Sequence, residues 1–356
     1  MADFETGLTA AKSNDFATAL REWRPLAEQG HVSAQFQLAL CYEYGEGVTK
    51  DYREAERWYR KAAEKDHVNA QLNLGNMYSN GQAVAQDYEE AARWYLKAAE
   101  QGDANAQFNL ALSYENGEGV AQDYEEAASW YREAAEQGYA SAQNNLANMY
   151  ESGRGVNESF EEAVNWYGKA AEQGVAKSQF NLGAMWECGR GVAQDYRQAV
   201  KWYHKAAEQG HVSAQFDLGL MYENGEGVDQ DYEEAMKWYR EAAEQKHLEA
   251  QYKLGALYRE VGRFTDSAIC LRTAAKSGSV EAVVSLSHMY FLNEGDVQGD
   301  KKVFSWIREV AYNGNAEVQG ILGGIYTGEL NIPENYDESL ELLSNLVFGH
   351  FHQAAT

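Results

Sequence analysis

Apolar and polar positions along this chain follow two short helical periods set inside a longer one. In SAQFDLGLMY, Ala214, Leu218, Met221 and Tyr222 fall at helical spacing, and DYEEAMKWYREAAEQ does the same with Ala235, Trp238, Tyr239 and Ala242. Each unit of the repeat is therefore predicted to hold two amphipathic helices. The longer clock is set by Trp58, Trp94, Trp130, Trp166, Trp202 and Trp238, each 36 residues from the last. Tyr42, Tyr78, Tyr114, Tyr150, Trp186 and Tyr222 keep the same period, as do Gly45, Gly81, Gly117, Gly153, Gly189 and Gly225. A period of roughly 20 to 50 residues marks a solenoid or array of stacked units.

The joint between the two helices, MYENGEGVDQDYEEA (221–235), reads in isolation as a site. Its Gly-Glu-Gly resembles a phosphate turn, and Asp229, Asp231 and Glu233 resemble the start of a calcium loop. Both readings fail on spacing. A calcium loop needs Gly at its sixth place and a bidentate carboxylate at its twelfth, where this chain has Glu234 and Arg240. A phosphate loop needs a longer glycine turn ending in Lys-Ser/Thr. Asp231 followed by Glu234 is instead a helix-start pattern, recurring at Asp51/Glu54, Asp87/Glu90, Asp123/Glu126, Ser159/Glu162 and Asp195/Gln198. Gly225 is expected to close the first helix in a left-handed conformation, and Gly227 to turn the chain toward the next cap. Gly219 and Ala235 mark places where helices approach closely.

AQFNLALSYENGEGVAQDYEEAASWYREAAEQG (106–138) closely resembles the Sel-one-like repeat (SLR) family, a relative of tetratricopeptide repeats, and the likeness runs over nearly the whole chain. The resemblance implies an all-α fold, a right-handed superhelical α-solenoid of about ten antiparallel helix pairs in one continuous array. Residues 1–30 read as a short tetratricopeptide-like unit, 31–246 as six full-length repeats, 247–278 as a short repeat, and 279–356 as two divergent repeats with a capping helix. Members of the family are mostly adaptors and scaffolds, many of them bacterial and exported. The resemblance thus implies a non-enzymatic protein-binding role, with an exported regulator, host-interaction or toxin-neutralising factor as its variants. A β-lactam-binding or hydrolysing branch ties each unit with paired cysteines, and this chain has only Cys41, Cys188 and Cys270.

First helices line the concave face of such a superhelix. Ala34, Leu38, Cys41, Tyr42 and their equivalents claim the core, leaving a second stripe at helical spacing. One row of it is Phe36, Leu72, Phe108, Asn144, Phe180, Phe216 and Tyr252. The next is Gln37, Asn73, Asn109, Asn145, Asn181, Asp217 and Lys253, with Asn76 and Asn148 nearby. Amides can pair with peptide N–H and C=O groups while aromatics supply apolar area, so the stripe is the expected site for a protein or extended peptide. The likeness to tetratricopeptide grooves, which use Asn at the place of Asn181 to hold a peptide or its terminal carboxylate, makes Asn181 and Lys177, one turn before it, the expected anion-contacting pair.

Charge narrows the partners. The chain carries 30 basic and 55 acidic residues, a net charge of −25, which opposes nucleic acid and anionic lipid, and no apolar run approaches the roughly 20 residues of a membrane span. No cofactor or metal is expected. Histidines 31, 67, 211 and 247 share one register and read as solvated loop residues, since adjacent helices lie roughly 8 to 10 Å apart, too wide to share an ion. Basic residues gather in the middle of the array at Arg154, Lys169, Lys177, Arg190, Arg197, Lys201 and Lys205. The closing segment, with Leu340, Leu343, Leu346, Val347, Phe348 and Phe351, is expected to support self-association. Localisation reads as cytoplasmic, or as periplasmic or secreted if residue 1 follows a removed signal peptide.

Overall fold

A computed structural model of the chain describes residues 2–298 and 300–326. Among the described residues there are helices and no strand. They fall into two compact lobes, Met1–Gln194 and Asp195–Thr356. The first holds α1 (Phe4–Lys12), α2 (Phe16–Glu28), α3 (Val32–Tyr44), α4 (Tyr52–Ala63), α5 (Val68–Asn80), α6 (Tyr88–Glu100), α7 (Ala104–Asn116), α8 (Tyr124–Glu136), α9 (Ala140–Ser152), α10 (Phe160–Glu172) and α11 (Ala176–Cys188). The second holds α12 (Tyr196–Glu208), α13 (Val212–Asn224), α14 (Tyr232–Glu244), α15 (Leu248–Glu260), α16 (Phe264–Lys276), α17 (Val280–Leu292), α18 (Lys301–Tyr312) and α19 (Ala316–Tyr326). Within each lobe a helix packs against its neighbours in sequence, the arrangement of an α-solenoid. The apolar closing segment at 340–351, with its expected self-association, lies outside the described residues.

The Gly-x-Gly joint has two functions. Gly225 ends α13 at φ +74°, and the Glu226 N–H closes the turn on the Met221 carbonyl at 3.0 Å. At Gly227, also at φ +74°, a Cβ would lie 2.4 Å from the carbonyl carbon of Tyr196, the first residue of α12. Gly119 and Gly155 lie equally close to Tyr88 and Tyr124. The second glycine therefore lets the turn of one repeat rest on the second helix of the repeat before it. Asp231 then starts α14 by accepting the N–H groups of Glu233 and Glu234 at 3.0 and 3.1 Å.

A buried glutamine row joins successive repeats. Gln71, fully buried, donates to the Ala63 carbonyl in the last turn of α4 at 3.1 Å and accepts from Gln101, just past the end of α6, at 2.7 Å. Gln107 spans Ala99 and Gln137 in the same way, and Gln143 spans Ala135 and Gln173. In the second lobe Gln215 does so between Ala207 and Gln245. Each bridge takes up the free lone pair of a carbonyl at a helix end, where the helix supplies too few donors. The row breaks where the second partner changes: Lys65 and Ser277 occupy the place of Gln101, and the Oε1 atoms of Gln35 and Gln251 are buried without a partner.

The histidine row differs from the sequence expectation. His31, His67, His211 and His247 are helix N-caps, each accepting the N–H three residues on through Nδ1 at 3.2 or 3.3 Å. Their rings also stack on the preceding repeat: Phe4 with His31 at 5.0 Å, Phe36 with His67 at 4.5 Å, and Phe216 with His247 at 4.7 Å. They are structural residues of the joint between repeats, with His31 exposed and His67, His211 and His247 half-buried.

Two outcomes follow for stability. Gln107→Met should cost about 1–3 kcal/mol by leaving the Gln137 amide without its buried acceptor, and should cost more than Gln35→Met, whose Oε1 has no partner to lose. Urea denaturation of the two variants checks this, and equal midpoints would refute the bridging role. Burial holds the His67 imidazole below its ordinary value of 6.5, so the unfolded chain takes up the proton first. The cap's contribution is present above pH 6.5 and is lost as pH falls below it. His67→Asp keeps an acceptor, as Asp103 does at 2.8 Å. The variant should gain up to about 1 kcal/mol relative to the parent between pH 7.5 and 5.5; parallel pH–melting curves would contradict the assignment.

Candidate functional site

The stripe of first-helix residues is placed by the core beneath it. One tyrosine in each of the six second helices α4, α6, α8, α10, α12 and α14, including Tyr59, Tyr131, Tyr167 and Tyr239, is almost wholly buried, and its hydroxyl reaches the stripe. Gly75 and Gly219 make room for two of these rings, since a Cβ would lie 2.6 Å from Tyr95 and Tyr239. Four of the hydroxyls find a carboxylate on the first helix of their own repeat. Tyr59 donates to Glu43 at 2.5 Å, Tyr131 to Glu115 at 2.6 Å and Tyr167 to Glu151 at 2.7 Å, while Tyr239 donates to Glu223. Burial first, and the carboxylate second, push these phenols far above their usual range. They stay protonated and act as fixed donors.

The amide row belongs to the same network. Asn73 donates to the Tyr59 hydroxyl at 3.1 Å and Asn145 to that of Tyr131 at 3.0 Å, each from the next repeat, and Asn181 hydrogen-bonds Tyr167. Where Ser79 replaces the glutamate, Asn76 substitutes for it, accepting from Tyr95 at 2.9 Å and from Asn109 at 3.3 Å. Asn148 Oδ1 lies 2.5 Å from the Tyr167 hydroxyl and shares its single proton with Glu151. In the second lobe Lys253 pairs with Glu223 at 3.1 Å, and Asp217 adds to the negative surroundings of Tyr239. The aromatic row is half-buried. Phe36, Phe108 and Phe216 lean on Tyr59, Tyr131 and Tyr239 at 5.7 to 5.8 Å. Phe180 and Gln37 are half-buried as well, and Tyr252 packs on the core around Leu286.

Three of the expected residues meet in one place. Asn145, Asn148 and Lys177 line a polar pocket of about 390 Å³ in the first lobe, between α7, α9 and α11. Glu115, Glu151, Ser152 and Arg154 complete it. Asn181, expected to act with Lys177, is not part of this wall. Glu115 and Glu151 were absent from the sequence expectation, although their 36-residue recurrence on first helices, with a Tyr following each Trp, was a visible signal. Asn144 is buried: it donates to Asn145 at 3.1 Å and accepts from Ser178 at 2.9 Å.

The central basic residues are mostly engaged with rings. Lys169 lies 3.7 Å from the Trp166 ring centre, Lys205 4.3 Å from Trp202, and Arg190 5.9 Å from Phe160. Burial pushes the Cys41 thiol up to about 12 and the Cys270 thiol up to about 11, away from nucleophilic character. Among the described residues no group of three His, Cys, Asp or Glu side chains is placed to hold a metal ion, and no helix is long and apolar enough to cross a membrane.

The Sel1 repeat pattern matches seven consecutive segments, 32–67, 68–103, 104–139, 140–175, 176–211, 212–247 and 248–266. The chain belongs to the Sel1 repeat family. Among solved structures it is similar to a protective antigen of uropathogenic Escherichia coli strains that displays an SLR fold, with 32% identity and a TM-score of 0.61 over 96% of this chain and 83% of that one. It is also similar to a Sel1 repeat protein from Oxalobacter formigenes, with 31% identity and a TM-score of 0.59 over 68% of this chain and 97% of that one. A search of curated proteins gives no match. The Sel1 repeat fold is in general that of a protein-interaction scaffold. In this Sel1 repeat chain, Asn145→Ala should leave the Tyr131 hydroxyl short of one donor and lower stability by about 1 kcal/mol. A melting curve equal to the parent's would show that the amide contributes nothing to the packing.

Proposed function

We propose that this chain is a non-enzymatic scaffold that holds a protein or extended peptide segment on its first-helix stripe, with the pocket at Asn145, Asn148 and Lys177 as a principal contact. The observation that carries this reading is the half-exposed row of amides and carboxylates, held in fixed orientation by buried tyrosine hydroxyls. An extended peptide offers N–H and C=O groups along its length, and rigid donors and acceptors bind them without first losing side-chain freedom. Half-buried aromatics beside the row supply apolar area.

The test places a photo-crosslinking residue at exposed Lys177 on the stripe, or at exposed Glu133 on the outer side of α8, in the full chain. Irradiation in a cell lysate should give discrete protein adducts from position 177 and few from position 133. Adducts of equal yield from both positions, or from 133 alone, would overturn the stripe as the binding face.

A further inference from the structure

In an array, a side chain found in every repeat serves the repeat, and one found in a single repeat is free to serve something else. Three such departures gather at the polar pocket: Lys177 lines it, and the buried Asn144 and Ser178 directly adjoin its lining residues Asn145 and Lys177 in the chain. Across the seven segments from 32 to 266, Asn144 stands where the others have an aromatic or leucine, Ser178 where the others have alanine, and Lys177 where the others have Ser33, Asn69, Asn105, Ser141, Ser213 and Glu249. Asn144 and Ser178 satisfy each other at 2.9 Å, so the change is compensated inside the core. It removes from this joint the aromatic ring that elsewhere stacks on the next helix cap.

The charges of the pocket are unequal in their commitments. Glu115 and Glu151 already accept tyrosine hydroxyls at 2.6 and 2.7 Å. Arg154 makes a long ion pair with Glu115 at 3.8 Å, a hydrogen bond to the Ser152 hydroxyl through Nε at 3.2 Å, and lies 5.7 Å from the Tyr124 ring centre, which leaves guanidinium N–H groups without a close acceptor. Lys177 is exposed and makes no ion pair among the described residues, whereas Lys253, the other lysine of the stripe, is tied to Glu223 at 3.1 Å. A molecule of net charge −25 repels acidic chains over most of its surface. Here two cations face one cavity with unspent hydrogen-bonding capacity.

We propose that this pocket is the specificity site of the stripe and selects a peptide segment by one Asp or Glu side chain, whose carboxylate sits between Lys177 and Arg154 while Asn145 and Asn148 face the peptide backbone. The proposal rests on the peptide-binding reading given above. Its test presents a random hexapeptide library to the full chain and sequences what is retained. Asp and Glu should be enriched at one position by about threefold or more, the scale of an exposed ion pair. Lys177→Glu should reverse that position to Lys and Arg, and Arg154→Ser should reduce the enrichment. Both positions are on the surface, and unchanged melting curves show that the fold is kept. Retained peptides without acidic preference, or with a preference that Lys177→Glu leaves intact, would overturn the specificity site and leave the scaffold reading standing. Retention of no peptide by the parent chain would overturn both.

Discussion

The fold depends on a hydrogen-bonded bridge between repeats. A pair of short helices cannot bury its own apolar face and leaves carbonyls at its helix ends with unused capacity. One glutamine answers this need, because its amide has a donor end and an acceptor end. Gln71 gives its N–H to the carbonyl of the helix before it and its oxygen to Gln101 after it. The bridge fixes rotation between neighbours in a way that apolar contact alone does not, and it holds only if the 36-residue spacing is kept. Alanines around it, fully buried at Ala62, Ala98 and Ala134, allow the helices to approach within reach.

The same logic governs the exposed stripe. Its amides and carboxylates are anchored to tyrosine hydroxyls that rise from the core, so a residue that faces solvent on one side is also part of the packing on the other. This dual attachment costs adaptability and gains preorganisation: a partner meets groups whose orientation is already set. It also means that changes along the stripe register in stability as well as in binding.

Much of the fold was legible because periodicity carries it. The tryptophan clock, the left-handed glycine at Gly225 and the cap at Asp231 each follow from local chemistry, and local chemistry can be read along a chain. The role of Gly227 could not be read in that way, since the backbone it rests on belongs to Tyr196, in the preceding repeat. The glutamine row escaped for the same reason: both partners of Gln107 belong to other helices, and nothing about a glutamine in AQF announces burial. His67 reads as a loop residue until Phe36 is seen to cover it. For the stripe, sequence placed Asn145, Asn148 and Lys177 on one face but gave no way to see that they share a pocket with Glu115, or that Asn181 is turned to Tyr167.

Repeat architecture also explains how one place can diverge while the rest is kept. Stability in such arrays is close to a sum of unit terms and nearest-neighbour terms, so a change confined to one joint is felt only there. Replacing an aromatic by Asn144 would bury an unsatisfied amide, at a cost of about 1–3 kcal/mol, unless the facing repeat changed too. Ser178 is that second change, and its hydroxyl supplies the missing bond. Once the pair is in place, the neighbouring surface positions are released from the repeat pattern. Lys177 can then take a positive charge that no other of these repeats carries at its position, while the glutamines on either side, Gln143 and Gln179, keep their bonds to Ala135 and Ala171.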